Sequence, residues 1–253
     1  MKINTSTTSV ILLVGGSGSR FSSLNEQPKQ LSKLNNDYIL MHIIKNLNKH
    51  GLNHFILPLG YKINFFKKFF NSKKNIKKYK FNLLSKNFKN INLKKNRINI
   101  SLFDAGKNTN KMKRVIKSLK YTINDDLLIV YGDDLSNIKI KEVFKKYIYF
   151  KKRKAIATVY KKRSQYGHVV INKNGFIKKF VEKPTFSNPI NIGNYLINSS
   201  LIKKFKSNKE IESNFLPKLT KKGLLVSFEH KGYFYSINDK KELITAKKKL
   251  RNL

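Results

Sequence analysis

Short apolar runs alternate with amphipathic segments along this chain of 253 residues. Aliphatic residues at 9–14 end at a glycine pair and predict a buried strand. A helix is predicted at 38–50, with its apolar residues on one face, Asp37 as its cap and Gly51 as its stop. The apolar run 54–59 predicts a second strand, and phenylalanines at 65–70 predict another helix. This order is the beginning of a β-α-β unit.

The alternation continues through the middle of the chain. Strands are predicted at 98–103, 127–131 and 155–160, and helices at 112–119 and 140–149. Residues 71–97 are rich in lysine and asparagine with weak periodicity, so we interpret them as a loop. Alternating strands and helices predict an α/β fold: a Rossmann-like mixed, mostly parallel sheet flanked by helices, with ligands at the carboxyl ends of its strands.

The pattern changes after residue 166. Alternating residues on either side of a turn at 172–175 predict a hairpin over 168–181. Further strands are predicted at 191–197, 224–228 and 233–237, with a closing helix at 240–250. No linker or repeat interrupts the chain, so we predict a single domain over residues 1–253.

The formal net charge of +40 raises the question of a nucleic-acid partner. Lysines are spread over nearly every element, and only six of the 54 basic residues are arginine, so we expect no nucleic-acid partner. The chain has no cysteine, which excludes disulfides and thiolate chemistry. No apolar run approaches the length of a membrane span or a secretory leader. We therefore expect a cytoplasmic protein with no membrane partner.

The first strand leads into the glycine-rich stretch GGSGSRF, residues 15–21. A P-loop would place Lys and then Ser or Thr after Gly18, and a dinucleotide fingerprint would need a small residue where Phe21 stands. Backbone amides of Gly15, Gly16 and Gly18 could instead approach a triphosphate, with Arg20 adding a charged fork. A simple turn after a strand is the competing interpretation.

The amino-terminal part of the chain resembles the signature of the sugar-phosphate nucleotidyltransferases. The resemblance is carried by this glycine-rich stretch, by the PKQL of residues 28–31 and by the run from 39 to 62. The glucose-1-phosphate cytidylyltransferase branch is the most similar. The resemblance implies a nucleotide-binding part at about 1–135 and a sugar-phosphate-binding part at about 136–253. It also implies catalytic functions for Arg20 and Lys29. The residues that it implies for nucleotide binding are Val14, Gly15, Gly16, Ser17, Gly18 and Lys111.

Two acidic motifs complete the implied metal site. Tyr131, Gly132 and Asp133 resemble the family's metal motif, which implies that Asp133 holds Mg²⁺; we interpret Asp134 as its solvated neighbour. The segment 231–243 resembles the one bearing a second metal aspartate, but Asn238 stands in the most natural register, with Asp239 adjacent. The second ligand is therefore Asn238 or Asp239.

The second half of the chain carries the implied sugar-phosphate contacts. Lys183 precedes Pro184 in an EKP sequence that resembles a motif of the family. The resemblance implies that Lys183 is catalytic and contacts the phosphate of the acceptor. The other residues that the resemblance implies here are Tyr166, Gly167, Glu182, Asn191 and Gly193.

The resemblance implies transfer of a nucleotidyl group from a nucleoside triphosphate to a sugar 1-phosphate, with release of pyrophosphate. CTP and glucose 1-phosphate are the predicted pair, Mg²⁺ is the predicted cofactor, and synthesis of nucleotide sugars for surface polysaccharides is the predicted context. Lys111 stands where the family has arginine, and Asn238 where it has aspartate. These departures motivate an alternative: a catalytically impaired homologue that binds sugar nucleotides. Assembly into a homo-oligomer is left open.

Overall fold

The computed structural model describes residues 5–16, 21, 26–84, 93–94 and 96–251. Its strands are β1 (Ser9–Leu13), β2 (Lys33–Leu34), β3 (Asp37–Tyr38), β4 (His54–Leu59), β5 (Phe81–Leu83), β6 (Ile98–Asp104), β7 (Asp126–Tyr131), β8 (Asp134–Ser136), β9 (Ala155–Tyr160), β10 (His168–Ile171), β11 (Ile177–Val181), β12 (Ile190–Asn198), β13 (Leu225–His230) and β14 (Phe234–Ser236). Its α-helices are α1 (Ile39–Asn48), α2 (Ile63–Asn71), α3 (Lys73–Tyr79), α4 (Lys111–Ser118), α5 (Ile140–Tyr149), α6 (Ser199–Phe205), α7 (Leu216–Lys221) and α8 (Lys240–Lys249).

Eight strands form one central sheet in the order β13-β9-β12-β7-β1-β4-β6-β5. The run from β7 to β5 is parallel throughout. Strand β12 lies antiparallel between β7 and β9, while β13 is parallel to β9. This arrangement confirms the predicted mixed, mostly parallel sheet flanked by helices. Its parallel centre places the carboxyl ends of β7, β1, β4 and β6 side by side at one edge.

Alternation along β1 divides the core between the two faces of this sheet. Val10 and Leu12 pack into one apolar cluster, which includes the buried faces of α1 and α5. Ile11 points the other way, into a second cluster with α4, α6 and α7. Because both faces are covered, β1 is apolar at nearly every position, as is typical of a central parallel strand.

His54 links three of the parallel strands inside the sheet. Its Nδ1 lies 3.0 Å from Oγ of Ser9 in β1, and its Nε2 lies 3.2 Å from Oγ of Ser101 in β6. Burial lowers the pKa of His54 to about 4, since the charged imidazolium would lose its hydration. The ring is therefore neutral in the folded protein near pH 7.

The interpretation of residues 71–97 as a loop was wrong in its first part. Helix α3 and strand β5 occupy 73–79 and 81–83. Aromatic packing explains the difference: the Tyr79 ring lies 6.1 Å from that of Phe69 and 5.3 Å from that of Phe81. These contacts between residues distant in the pattern stabilise elements that local periodicity does not indicate. Residues 85–92 and 95 lie outside the described part of the chain.

Asp37 does not cap α1 as predicted. It lies in β3, one residue too early, and Tyr38 occupies the capping position without a side-chain hydrogen bond. The Asp37 carboxylate instead accepts from the Tyr79 hydroxyl at 2.6 Å and pairs with Lys45 of α1. It therefore connects α1 to α3. Helices α6 and α7 were not predicted from the sequence.

The predicted hairpin is confirmed as the antiparallel pair β10 and β11. It forms a separate two-stranded sheet, and every residue of its two strands is exposed, including Val170, Ile177 and Phe180. A second small sheet pairs β8 with β14, so that Ser236 faces Asp134 across the ladder. Within the described ranges, no helix is long and apolar enough to cross a membrane.

Candidate active site

A cavity of about 480 Å³ opens at the carboxyl ends of the four adjacent parallel strands. Gly15 and Gly16 follow β1, Tyr61 follows β4, Asn110 follows β6, and Asp133 follows β7; all five line this cavity. This is the edge at which ligands bind in open α/β sheets. The predicted nucleotide-binding part of the chain therefore supplies most of the lining.

Lys29 and Asp133 form an ion pair within the cavity, with Nζ and Oδ2 2.5 Å apart. Lys29 begins a single 3₁₀ turn after Pro28, and the buried side chain of Leu31 anchors that turn against the core. The Lys29 side chain is 11% exposed and that of Asp133 is 26% exposed. A cation and an anion are thus held together at the end of β7, within reach of a ligand in the cavity.

Asp134 is not the solvated neighbour that the sequence suggested. It is buried in β8 and accepts a hydrogen bond from Ser236. Burial, reinforced by the negative charge of Asp133, raises the pKa of Asp134 to about 7. Asp133 lies in the turn after β7 and lines the cavity, while the adjacent Asp134 is buried in β8.

The alternatives for a second metal ligand occupy different places. The backbone N–H of Ile237 donates to the carbonyl of Asp133 at 2.9 Å, which brings the following Asn238 into the cavity lining. Asp239 caps α8 instead, because its carboxylate accepts from the backbone N–H of Glu242. Asn238 is therefore the one of the two that shares the cavity with Asp133.

The oxygen atoms that line the cavity fit a Mg²⁺ ion whose other ligands are oxygen atoms of substrate and water. Mg²⁺ is typically bound by one or two carboxylates together with phosphate oxygens, rather than by an all-protein cage. Asp133 supplies a carboxylate, and Asn238 supplies an amide carbonyl without charge. In the described part of the chain, no group of three or more His, Asp or Glu side chains is arranged so that it could hold a metal ion.

The described part of the predicted glycine cradle is shaped by Arg114. A Cβ on Gly15 would lie 1.7 Å from Nη1 of Arg114 and 2.6 Å from the Pro58 carbonyl oxygen, so only glycine fits there. Gly16 has open space around it. Val14, predicted to bind nucleotide, packs into the core and does not line the cavity. The predicted Ser17, Gly18 and Arg20 lie outside the described residues.

Arg114 is a buried guanidinium that joins strand β4 to the loop after β6. It is 4% exposed and donates to the carbonyls of Pro58 at 2.9 Å and Thr109 at 2.8 Å, and more weakly to those of Gly106 and Lys107. Burial lowers its pKa, while the charges of Asp104 and Glu210 oppose that shift. Five donors in a fixed fork make arginine suited to collecting several carbonyls. The wall of the cavity is therefore fixed by one side chain.

Lys111 lines the cavity at the start of α4, but its charge is already paired. Its ammonium donates to Glu212 and lies 4.7 Å from the centre of the Tyr131 ring. The Tyr131 hydroxyl donates to the same carboxylate. These bonds lower the pKa of Glu212 against the effect of burial, and burial raises the pKa of Tyr131. Lys111, Glu212 and Tyr131 thus form one connected group beside Asp133.

The predicted sugar-phosphate residues divide into two sets. Lys183 and Glu182 pair at 3.1 Å at the end of the exposed hairpin, where both side chains are 61% exposed. Tyr166 is also exposed, and Gly167 lies against Glu182 and Phe180. None of these residues lines the 480 Å³ cavity.

The other set lies on β12, next to the cavity wall. Gly193 has a φ of 70°, and a Cβ there would lie 2.5 Å from the Tyr131 ring. Its N–H donates to the Asn191 side chain at 3.2 Å, and Asn191 donates to the hydroxyl of Tyr195 at 2.5 Å. Gly193 therefore permits the close packing of β12 against a residue that lines the cavity.

Residues 9–252 match the protein family described as nucleotidyl transferase. The chain belongs to the nucleotidyl transferase family. This membership confirms the resemblance to the sugar-phosphate nucleotidyltransferases on which the sequence predictions depend.

Two relatives of this nucleotidyl transferase align over nearly their whole length. A probable glucose-1-phosphate cytidylyltransferase of Bacillus subtilis (strain 168) is 29% identical over 247 residues, covering 94% of each chain. A D-glycero-alpha-D-manno-heptose 1-phosphate guanylyltransferase of Aneurinibacillus thermoaerophilus is 26% identical, covering 96% of this chain and 98% of its own. Among solved structures, a UDP-glucose pyrophosphorylase complexed with UDP-glucose aligns over 96% of this chain and 98% of its own, with a TM-score of 0.71 at 16% identity. That likeness supports the fold.

Three cavity-side residues of this nucleotidyl transferase were missed by sequence reasoning: Arg114, Glu210 and Glu212. A compositional signal was present for each. Arginine is rare in a chain with 54 basic residues, and the chain has only 14 acidic residues in all, of which two lie at 210 and 212. The rarity of arginine and of acidic residues in a chain rich in lysine was therefore the signal that could have identified these three residues.

Proposed function

We propose that this nucleotidyl transferase transfers a nucleoside monophosphate from a nucleoside triphosphate to a sugar 1-phosphate and releases pyrophosphate. The observation that carries the proposal is the Lys29–Asp133 pair, enclosed at the carboxyl ends of the parallel strands beside a glycine turn. CTP with glucose 1-phosphate is the first pair to test, since the B. subtilis relative bears that activity in its name. The product, a nucleotide sugar, is the activated form used in polysaccharide synthesis.

The reaction requires alignment and charge neutralisation more than proton transfer. An oxygen of the sugar phosphate, already ionised at neutral pH, forms a bond to the α-phosphorus, and the bond from that phosphorus to pyrophosphate breaks. Lys29 donates to an α-phosphate oxygen and stabilises the charge that develops there. Asp133 and Asn238 would hold Mg²⁺, which when bound would further neutralise the charge of the phosphate oxygens. The ion pair with Asp133 orients the Lys29 ammonium before substrate arrives.

Lys183 has a different task in this proposal. Its ammonium lies on the exposed hairpin, and its partner Glu182 is equally exposed. In water such a pair contributes little stability, so its exchange for a sugar phosphate costs little. Following the resemblance of the EKP sequence to the family's motif, we assign Lys183 to the acceptor's phosphate and Glu182 to the sugar, and the exposure of the pair is compatible with such an exchange.

A second candidate is a protein that binds sugar nucleotides with little turnover. Two observations favour it: Asn238 brings no charge to the cavity, and Lys111 is already paired with Glu212. This candidate predicts saturable nucleotide binding without Mg²⁺-dependent release of pyrophosphate.

The test is pyrophosphate release measured with four nucleoside triphosphates, each against a panel of sugar 1-phosphates, with and without Mg²⁺. We expect Lys29→Ala and Asp133→Ala each to lower kcat for the best pair by roughly 10²–10³-fold, the typical loss for one electrostatic contact in a transition state. Lys33→Ala, an exposed lysine in the neighbouring β2, is the matched control and keeps wild-type turnover. Unchanged turnover in both cavity variants contradicts the assigned site, and binding without release favours the second candidate.

A further inference from the structure

Glu212 lies behind the cavity wall and bonds to two side chains that form this wall. It does not line the cavity itself, whereas Lys111 and Tyr131 both do. Its Oε1 accepts hydrogen bonds from the Lys111 ammonium and from the Tyr131 hydroxyl. The same ammonium lies 4.7 Å from the centre of the Tyr131 ring. One carboxylate therefore restricts the positions of both side chains.

The backbone that carries Glu212 is unusual and firmly packed. Residues Ile211–Phe215 form a single π-helical turn, a rare conformation that is frequent at functional sites. Both ends of this turn are buried in the second apolar cluster. The Asn110 side chain donates to the carbonyl of Asn208 at 2.6 Å, which ties the segment before the turn to the residue before Lys111. The turn therefore presents Glu212 to its partners from a fixed position.

The Lys111 ammonium lies near the strand end that carries Asp133. The positive charges of Lys29 and Lys111 both act on the buried Asp134, against the effect of its burial. Tyr131, whose ring lies next to the Lys111 ammonium, is the last residue of β7 and stands two positions before Asp133. Lys111 is therefore a second cation close to the end of β7, where we propose that the phosphates react.

Strand β12, which carries residues predicted to contact the sugar, packs against the same aromatic ring. A Cβ on Gly193 would lie 2.5 Å from the Tyr131 ring, so the two are in close contact. The rings of Tyr131 and Tyr195 meet edge to face, with their centres 6.0 Å apart. Through the Tyr131 ring, the Lys111 ammonium is thus connected both to the end of β7 and to the strand predicted to bind the acceptor.

Charge alone does not explain a carboxylate at this position. A negative charge near a triphosphate site repels the ligand and lowers its affinity. Lysine carries its charge on a flexible stem, however, and Lys111 stands where the family has the more rigid arginine. An ammonium that is fixed before substrate binds stabilises developing charge without reorganisation during the reaction. A fixed partner such as Glu212 provides this order.

We propose that Glu212 is a positioning residue: it holds the Lys111 ammonium beside the Tyr131 ring, so that this charge meets the phosphate oxygens where nucleotide and acceptor react. Glu212 acts through Lys111 and does not contact substrate. This inference rests on the proposed function, and it deepens that function by adding a second oriented cation to the Lys29–Asp133 pair.

Steady-state pyrophosphate release by two variants separates the position of the carboxylate from its charge. Glu212→Gln removes the charge, and Glu212→Asp keeps the charge but shortens its reach by one methylene. We expect each substitution to lower kcat by about 10-fold or more, while KM for the nucleotide rises by less than about 3-fold. A carboxylate that only repelled phosphate would give undiminished kcat in Glu212→Gln and wild-type constants in Glu212→Asp.

Glu229→Gln is the matched control for these variants. Glu229 also pairs with a lysine, Lys161, and its side chain is 41% exposed, against 37% for Glu212. It lies on β13, at the edge of the central sheet, and does not line the cavity. We expect wild-type kcat in Glu229→Gln.

A double-mutant cycle tests whether Glu212 acts through Lys111. Lys111→Met is expected to lower kcat at least as much as Glu212→Gln does. Added to Lys111→Met, Glu212→Gln should change kcat by less than about 2-fold, because the side chain that it orients is then absent.

Three outcomes overturn the inference: wild-type kcat in both Glu212 variants; an equal loss of kcat from Glu212→Gln with and without Lys111→Met; or a loss in Glu229→Gln as large as that in Glu212→Gln. Absence of pyrophosphate release by the wild type with every substrate pair defeats the proposed function and this inference with it. Release by the wild type, together with unchanged kcat in both Glu212 variants, defeats this inference alone.

Discussion

The cavity residues and the hairpin residues that the sequence predicts to bind substrate differ in how far the protein holds them in place. At the carboxyl ends of β1, β4, β6 and β7, charged side chains are enclosed: Arg114 is bonded to four carbonyls, and Lys29 is paired with Asp133. On the hairpin, Lys183 and Glu182 pair with each other and are mostly exposed to solvent. The cavity residues are preorganised by the central sheet, and the hairpin residues are presented on a separate, exposed one.

This difference has an energetic meaning. Groups that are fixed before substrate binds lose little entropy on binding and exert their full electrostatic effect in an enclosed site. Side chains on an exposed hairpin become ordered only when the sugar phosphate binds. Their effect is therefore expected chiefly in the affinity for the sugar phosphate. The nucleotide half is therefore expected to govern stability and kcat, and the hairpin half to govern KM for the sugar phosphate.

The largest expected effect is the loss of the Arg114 guanidinium. Arg114→Met leaves four backbone carbonyls without their donor inside the protein, so we expect the free energy of unfolding to fall by about 3 kcal/mol or more. Denaturation in urea measures this change. Lys113→Met on the exposed side of α4 is the control, with a change within about 0.5 kcal/mol. Equal changes in the free energy of unfolding for the two substitutions would contradict a structural function of Arg114.

His54 is expected to make the nucleotide half sensitive to acid. The pKa of His54 in the folded protein, about 4, lies below its ordinary value of 6.5. Between pH 4 and pH 6.5 the unfolded chain therefore binds a proton at His54 and the folded chain does not. The His54 contribution is complete above pH 6.5 and is lost as the pH falls towards 4, a change of about 3 kcal/mol.

Urea unfolding at pH 7 and pH 4.5 measures the effect of His54. His54→Gln has no titrating ring, so its stability should fall less between these pH values. His168→Gln, on the exposed β10, should retain the wild-type pH dependence. A wild-type pH dependence in His54→Gln would assign the acid sensitivity to other groups.

An intermediate effect is expected on the hairpin side of the site. Lys183→Ala removes the charged contact that we propose to the acceptor's phosphate, and we expect KM for the sugar phosphate to rise by about 10-fold or more with a smaller change in kcat. Steady-state kinetics at saturating nucleotide measure both constants. Lys179→Ala on the adjacent β11 is the control. A fall in kcat alone would place Lys183 with the preorganised half instead.

The smallest effect tests whether the hairpin supports the fold. Ile177→Ala, on the exposed β11, should change the free energy of unfolding by less than about 0.5 kcal/mol. The same substitution at the buried Ile56 in β4 should cost about 2–5 kcal/mol. A cost above about 1 kcal/mol at Ile177 would mean that the hairpin is covered in solution, for example by a second copy of the chain.

Much of the fold was predictable because strong local patterns agree with the tertiary structure. β1, β4, β7 and β9 are short apolar runs bounded by turns, and the hairpin has alternation and turn residues. Helix α3 and strand β5 were not predictable, because their stability comes from aromatic contacts with α2. Asp37 was assigned to a cap that it misses by one residue, since its partners Lys45 and Tyr79 come from elements that the pattern does not relate to it.

For the site, ordered motifs identified Lys29 and Asp133, and the structure brings the two together. The catalytic functions of Arg20, Lys29 and Lys183, the Mg²⁺ ion and the sugar contacts stay predictions. Asp134 illustrates the limit of motifs: two adjacent aspartates look alike in sequence, but one lines the cavity from the turn after β7 and the other is buried in β8.

The sequence by itself determined the strands β1, β4, β6, β7, β9 and β12 and the hairpin, the family and the residues that carry its motifs, because these depend on local pattern and order along the chain. The tertiary structure alone decided that Arg114 joins β4 to the loop after β6 beside the cavity, and that Glu212 pairs with Lys111. Those relations join residues distant along the chain, and only the packing of β-strand ends and loops brings them within hydrogen-bonding or electrostatic reach.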